Sequence, residues 1–86
     1  MKQEIKKLTD ELKSIMDEYD NTDYLPIGDC NIHIQGCLLT HCYYDDSNKK
    51  IIFSSGDLYV DKHAEEIILT DDDTIMALKE IIYCYE

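Results

Sequence analysis

Residues 37–60 read CLLTHCYYDDSNKKIIFSSGDLYV, and this stretch decides the fold. A β-rich run extends from Cys37 to Tyr44, and a second from Lys50 to Ser54. Between them, Asp45-Asp46-Ser47-Asn48 is turn chemistry, because short polar side chains hydrogen-bond their own backbone there. Ser55-Gly56-Asp57 turns the chain again, and Leu58-Tyr59-Val60 returns it. Three consecutive strands joined by short turns predict an antiparallel meander. Upstream, Ile32-His33-Ile34 alternates and Gly36 marks a bulge or tight bend. Downstream, Glu65 to Leu69 reads either as a fourth short strand or as an irregular lead-in.

Helical periodicity flanks this stretch on both sides. Ile5, Leu8, Leu12, Ile15 and Tyr19 recur at helical steps, with Met16 widening the stripe and no Gly or Pro intruding. That spacing predicts an amphipathic helix over 2–19. Residues 20–29 read as a connector, broken by Asn21, Pro26 and Gly28. Thr70-Asp71-Asp72-Asp73 reads as a helix start. Thr70 or Asp71 supplies the cap, and the carboxylates complement the positive end of the dipole. Ile75, Leu78, Ile82 and Tyr85 form the stripe of that second helix, near 71–84. The expected fold is α+β: an N-terminal helix, a three-stranded or four-stranded antiparallel meander, and a C-terminal helix. Both helices are expected on one face of the sheet. At 86 residues the chain is expected to form a single domain.

The charge is strongly one-sided. Nineteen carboxylates oppose eight lysines, there is no arginine, and the net charge is −11. Residues 20–48 carry net −5 and residues 63–86 net −6, whereas residues 49–62 carry +1. Such a field repels nucleic acid and anionic membrane and favours basic surfaces. Direct nucleic-acid binding is disfavoured further because the one basic pair outside the first helix, Lys49-Lys50, sits in a turn flanked by acids. No apolar run approaches the ~20 residues that span a bilayer. Met1–Lys7 has no apolar segment of the signal-peptide kind. The expectation is therefore a cytoplasmic protein with reduced thiols.

Cys30, His33, Cys37, His41 and Cys42 fall within thirteen residues and include the soft ligands zinc prefers. Their spacing along a β-rich run argues against a zinc site. Strand alternation sends neighbouring ligands such as His41 and Cys42 to opposite faces. No metal, cofactor or catalytic residue is expected. Asp71-Asp72-Asp73 lacks the alternating oxygens, central Gly and terminal Glu of a calcium loop. The seven tyrosines are better interface material, being rigid and amphipathic. One of Tyr43 and Tyr44 is expected on the outside, since adjacent strand residues face opposite ways.

In size, acidic excess, arginine-free composition and element order, the chain resembles the small anti-CRISPR inhibitors carried by phages and mobile elements. The resemblance covers the whole chain and rests on no motif. It implies an inhibitor, not an enzyme, whose carboxylates replace phosphates in the basic channel of a nuclease or other nucleic-acid-binding enzyme. The residues assigned to such a partner are Asp20, Asp23, Tyr44, Asp45, Asp46, Glu65, Glu66, Asp71, Asp72 and Asp73. The alternatives are an immunity protein or antitoxin, a homodimeric regulatory subunit, and a Cys/His metal-binding protein.

Overall fold

The structure is a computed structural model describing residues 2–19 and 23–85. Helix α1 spans Lys2–Glu18. The strands are β1 (Tyr24–Pro26), β2 (His33–Ile34), β3 (Cys37–Leu38), β4 (His41–Asp45), β5 (Lys50–Ser55) and β6 (Glu65–Ile67). A 3-10 turn at Gly28–Cys30 follows β1, and helix α2 spans Asp71–Tyr85. The main sheet has the order β1-β4-β5-β6, antiparallel throughout, and β2-β3 form a separate hairpin. The α+β class and both helices stand as the sequence predicts.

Three details differ from the sequence reading. The run from Cys37 to Tyr44 is broken at Leu39-Thr40, so its first half pairs back onto His33–Ile34. The connecting turn has positive φ at both Gln35 (56°) and Gly36 (77°), the geometry of a two-residue hairpin whose twist matches its strands. Leu58-Tyr59-Val60 is not a strand but part of a turn-rich loop, and β6 takes its place beside β5. The connector contains an edge strand, β1. Tyr44 N–H donates to the Asp23 carbonyl and Ile27 N–H to the Thr40 carbonyl, which sets residues 23, 25 and 27 toward β4. Tyr24 and Pro26 therefore turn their backbone outward, so proline's missing N–H leaves no ladder bond unmade.

Alternation fixes which side chains meet the helices. Leu25, Cys42, Ile51, Phe53 and Ile67 lie in register on one face of the sheet. They join Leu8, Leu12 and Met16 of α1 and Ala77, Leu78, Ile81 and Ile82 of α2 in one core. Glu4–Lys79, at 3.1 Å, and the Tyr19–Tyr85 ring contact set the helices side by side, running the same way. The Cα radius of gyration, 11.8 Å, matches the roughly 12 Å expected of one compact domain this long. Thr70 caps α2: its Oγ1 accepts the Asp73 N–H at 3.2 Å. The free edges carry Pro26 on β1 and Glu65-Glu66 on β6, both of which discourage edge-to-edge pairing.

Candidate protein-binding surface

Neither helix covers the opposite face of the sheet. Tyr24, His41 and Tyr43 stand there in a row across β1 and β4, with ring centroids 6.0–6.3 Å apart. Tyr59, from the β5–β6 loop, sets its ring edge-on to Tyr43 at 5.2 Å and to Tyr24 at 6.1 Å. Two Asp side chains shape that loop. Asp57 Oδ1 accepts the Tyr59 N–H and Asp61 Oδ1 the His63 N–H, both at 2.9 Å. The Tyr43 hydroxyl anchors the loop to the sheet by accepting the Leu58 N–H at 2.8 Å and donating toward Asp57 at 3.4 Å. Gly56 closes the hinge. Its N–H donates to Thr40 Oγ1 at 2.7 Å, and Ser54 Oγ donates to its carbonyl, also at 2.7 Å.

The result is an apolar and aromatic surface held rigidly. Tyr43 is 5% exposed because Tyr59 and the loop lie over it. Tyr59 and Val60 are 70% and 81% exposed, and Tyr24 and Leu58 also reach solvent. Contiguous exposed apolar groups of this kind mark interaction sites more often than scattered single ones. Tyrosine faces also attract ammonium and guanidinium groups through the ring quadrupole.

Carboxylates lie at both ends of this face. At one end, Asp45 closes β4 and Asp46 opens the β4–β5 turn, whereas Asp23, opposite Tyr44, falls on the helix side, where Lys13 of α1 holds its carboxylate. Asp45 accepts the Ser47 N–H and the Asn48 amide, and these bonds hold its carboxyl below its ordinary value, the Asn48 side chain contributing most. Asp46 pairs with Lys49 at 3.2 Å, and Asp23 shares Lys13 with Asp17. The Asp17 bond, then that of Asp23, raises the Lys13 ammonium above its usual value. At the other end lie Asp57, Asp61 and Glu66, with Glu66 opposite Ser54, whereas Glu65, opposite Ser55 and in step with the buried Ile67, falls on the helix side of the sheet. Five residues of extended strand separate the two ends, about 17 Å.

The other assigned residues fall elsewhere. Tyr44 points toward the helices, half-buried, with the Lys13 ammonium 5.1 Å from its ring centroid. Asp71, Asp72 and Asp73 form the first turn of α2, on the helix side. Asp20 lies outside the described residues. The Cys/His cluster is dispersed over a 3-10 turn, a hairpin and both faces of β4, and among the described residues no three His, Cys, Asp or Glu side chains converge as a metal site. Among the described residues no helix is long and apolar enough to cross a membrane.

Sequence reading missed Leu58, Tyr59 and Val60 as surface residues, having placed them in a strand. The usable signal was Asp57-x-Tyr59 followed by Asp61-x-His63. Two carboxylates each capping the N–H two residues on make a loop, not a ladder. Comparison with protein-family models, with curated proteins and with solved structures finds no match.

Proposed function

We propose that this protein is a binding module that occupies a basic site on another protein and blocks it, the target being a nuclease or another nucleic-acid-binding enzyme. The observation that carries this reading is the tyrosine face with carboxylates at both ends, on a chain of net charge −11. A channel built for phosphates presents Lys and Arg. Carboxylates about 17 Å apart on a stiff sheet supply the opposing charge without the ordering cost of a flexible acidic tail. Tyr24 and Tyr59 between them offer ring faces to the same cations and exclude water from the centre of the contact. Long-range attraction speeds encounter, and the tyrosines set how long the complex lasts.

The test is capture of basic proteins from a bacterial extract on immobilised protein, followed by nuclease assay of the purified captive. Support would be a captive of pI above about 9 that salt elutes and whose DNA cleavage falls when the protein is added. Binding that ignores salt, Tyr59→Ala and Glu66→Lys would remove the reading.

A further inference from the structure

Beside the β4–β5 turn and along the β6 side of the sheet, an open groove of ≈ 520 Å³ runs between α1, that turn and the start of α2. Its rim reverses the charge of the protein. Lys2, Lys6, Lys49 and Lys50, half of the eight lysines, line it, against the carboxylates of Glu66 and Asp71. Lys6 and Lys49 share their charge with Asp10 and Asp46, whereas Lys2 and Lys50 form no ion pair among the described residues. Ile5, Ile67 and Leu69 make the floor apolar, and Ile68 beside them is 71% exposed.

The groove also runs along an unfinished sheet edge. The outward backbone of β5 alternates, and residues 53 and 55 pair with Ile67 and Glu65 of β6. Ile51 is next in that series. Its N–H and C=O face the same side, but the chain leaves the sheet after Ile67. No described residue bonds to them there. A buried backbone amide without a partner is costly, so this edge is either wet or completed by another chain.

We propose that this groove binds an extended acidic peptide segment, added as a short strand beside Ile51, with an apolar side chain on the Ile5–Leu69 floor and its carboxylates among Lys2, Lys6, Lys49 and Lys50. Strand addition explains the free edge and the apolar floor together; a small anion would use only the lysines. The protein's many distant carboxylates do not forbid it, since exposed charges are screened beyond a Debye length of about 8 Å at physiological salt. The groove borders the tyrosine face at Glu66 and at the β4–β5 turn, but the proposal does not depend on that face's role.

The probe is a fluorescein-labelled nine-residue peptide of alternating Glu and Val, with a Lys–Val peptide as control, followed by anisotropy. Lys2→Glu combined with Lys50→Gln changes two exposed side chains that hold no ion pair among the described residues, Lys50 standing across the strand pair from Asp45, and is checked for native circular dichroism. The expected result is binding of the Glu–Val peptide only, weakened about tenfold or more in the double variant. Amide exchange at Ile51 should slow when the peptide is bound. Absence of binding, binding indifferent to the double variant, or unchanged Ile51 exchange in the complex would overturn the proposal. So would inorganic pyrophosphate binding at these lysines while the peptide does not, which would make the groove a small-anion site.

Discussion

The Tyr85 hydroxyl donates a hydrogen bond to the Pro26 carbonyl, tying the end of α2 to the edge strand β1. The bond exists because Pro26 turns its carbonyl away from β4, where no strand can reach it. Tyr19 packs edge-on against the same Tyr85 ring at 5.4 Å, so one side chain joins both helices to the sheet. Tyr85→Phe keeps the ring contact and removes the bond. A loss of about 1 kcal/mol is expected in urea denaturation. An unchanged midpoint would mean that the edge strand is held without it.

The core predicts larger effects. Leu12 and Leu78 are fully buried on facing helices. Leu12→Ala and Leu78→Ala should each cost about 2–5 kcal/mol, the range for a truncated buried leucine. Neutral results would contradict the packing of both helices on one sheet face.

Gly56 is the hinge of the tyrosine-bearing loop. It has φ +96°, and a Cβ there would lie 2.8 Å from the Ala64 Cβ and 3.0 Å from its Cα. Gly56→Ala should therefore cost about 1–3 kcal/mol and loosen Tyr59 from Tyr43, readable in the tyrosine near-ultraviolet circular dichroism. Gly28 meets no atom within 4 Å, so Gly28→Ala is the control and should stay within about 0.5 kcal/mol.

Alkaline pH should destabilise the fold. Burial pushes the Cys42 thiol far above its ordinary value. Burial first, and then the neighbouring Cys84 thiol, pushes Cys30 up to about 12. Burial also raises the Tyr85 phenol. Each folded-state value lies above the unfolded one, so the thiols' share of this stability is whole below the unfolded thiol value of about 8.5 and is lost as pH rises past it, while the Tyr85 share is lost only from about 10 upward. For Cys42 the slope is about 1.4 kcal/mol per pH unit above the unfolded thiol value. Urea midpoints at pH 7.5 and 9.5 should differ, and less so in Cys42→Ala. Equal midpoints would place that thiol in water.

Legibility followed the strength of local patterning. The helical stripes Ile5–Tyr19 and Ile75–Tyr85 were readable because each buries one continuous face, and Thr70 announced the second helix through its cap. Strand β1 was not. Three residues containing Pro26 have no strand signal of their own, and only pairing with Cys42 across the sheet makes them one. Leu58-Tyr59-Val60 misled for the converse reason: its residues favour strands, but Asp57 and Asp61 bend the backbone around them. The acidic excess was plain from composition. Its partition between the two ends of the tyrosine face and the first turn of α2 depends on register, which no local signal encodes.

The proposed function requires that basic groups dock on the tyrosine face. The most direct measurement is titration of isotope-labelled protein with a nine-residue peptide of alternating Arg and Gly, followed by amide chemical shifts at low and physiological salt. Shifts concentrated at Tyr24, Tyr43 and residues 57–61 are expected, weakening as salt rises and much reduced in Tyr59→Ala. Shifts spread evenly over carboxylates on every face, Glu11, Glu18 and Glu80 included, would contradict the proposed function, as would their absence.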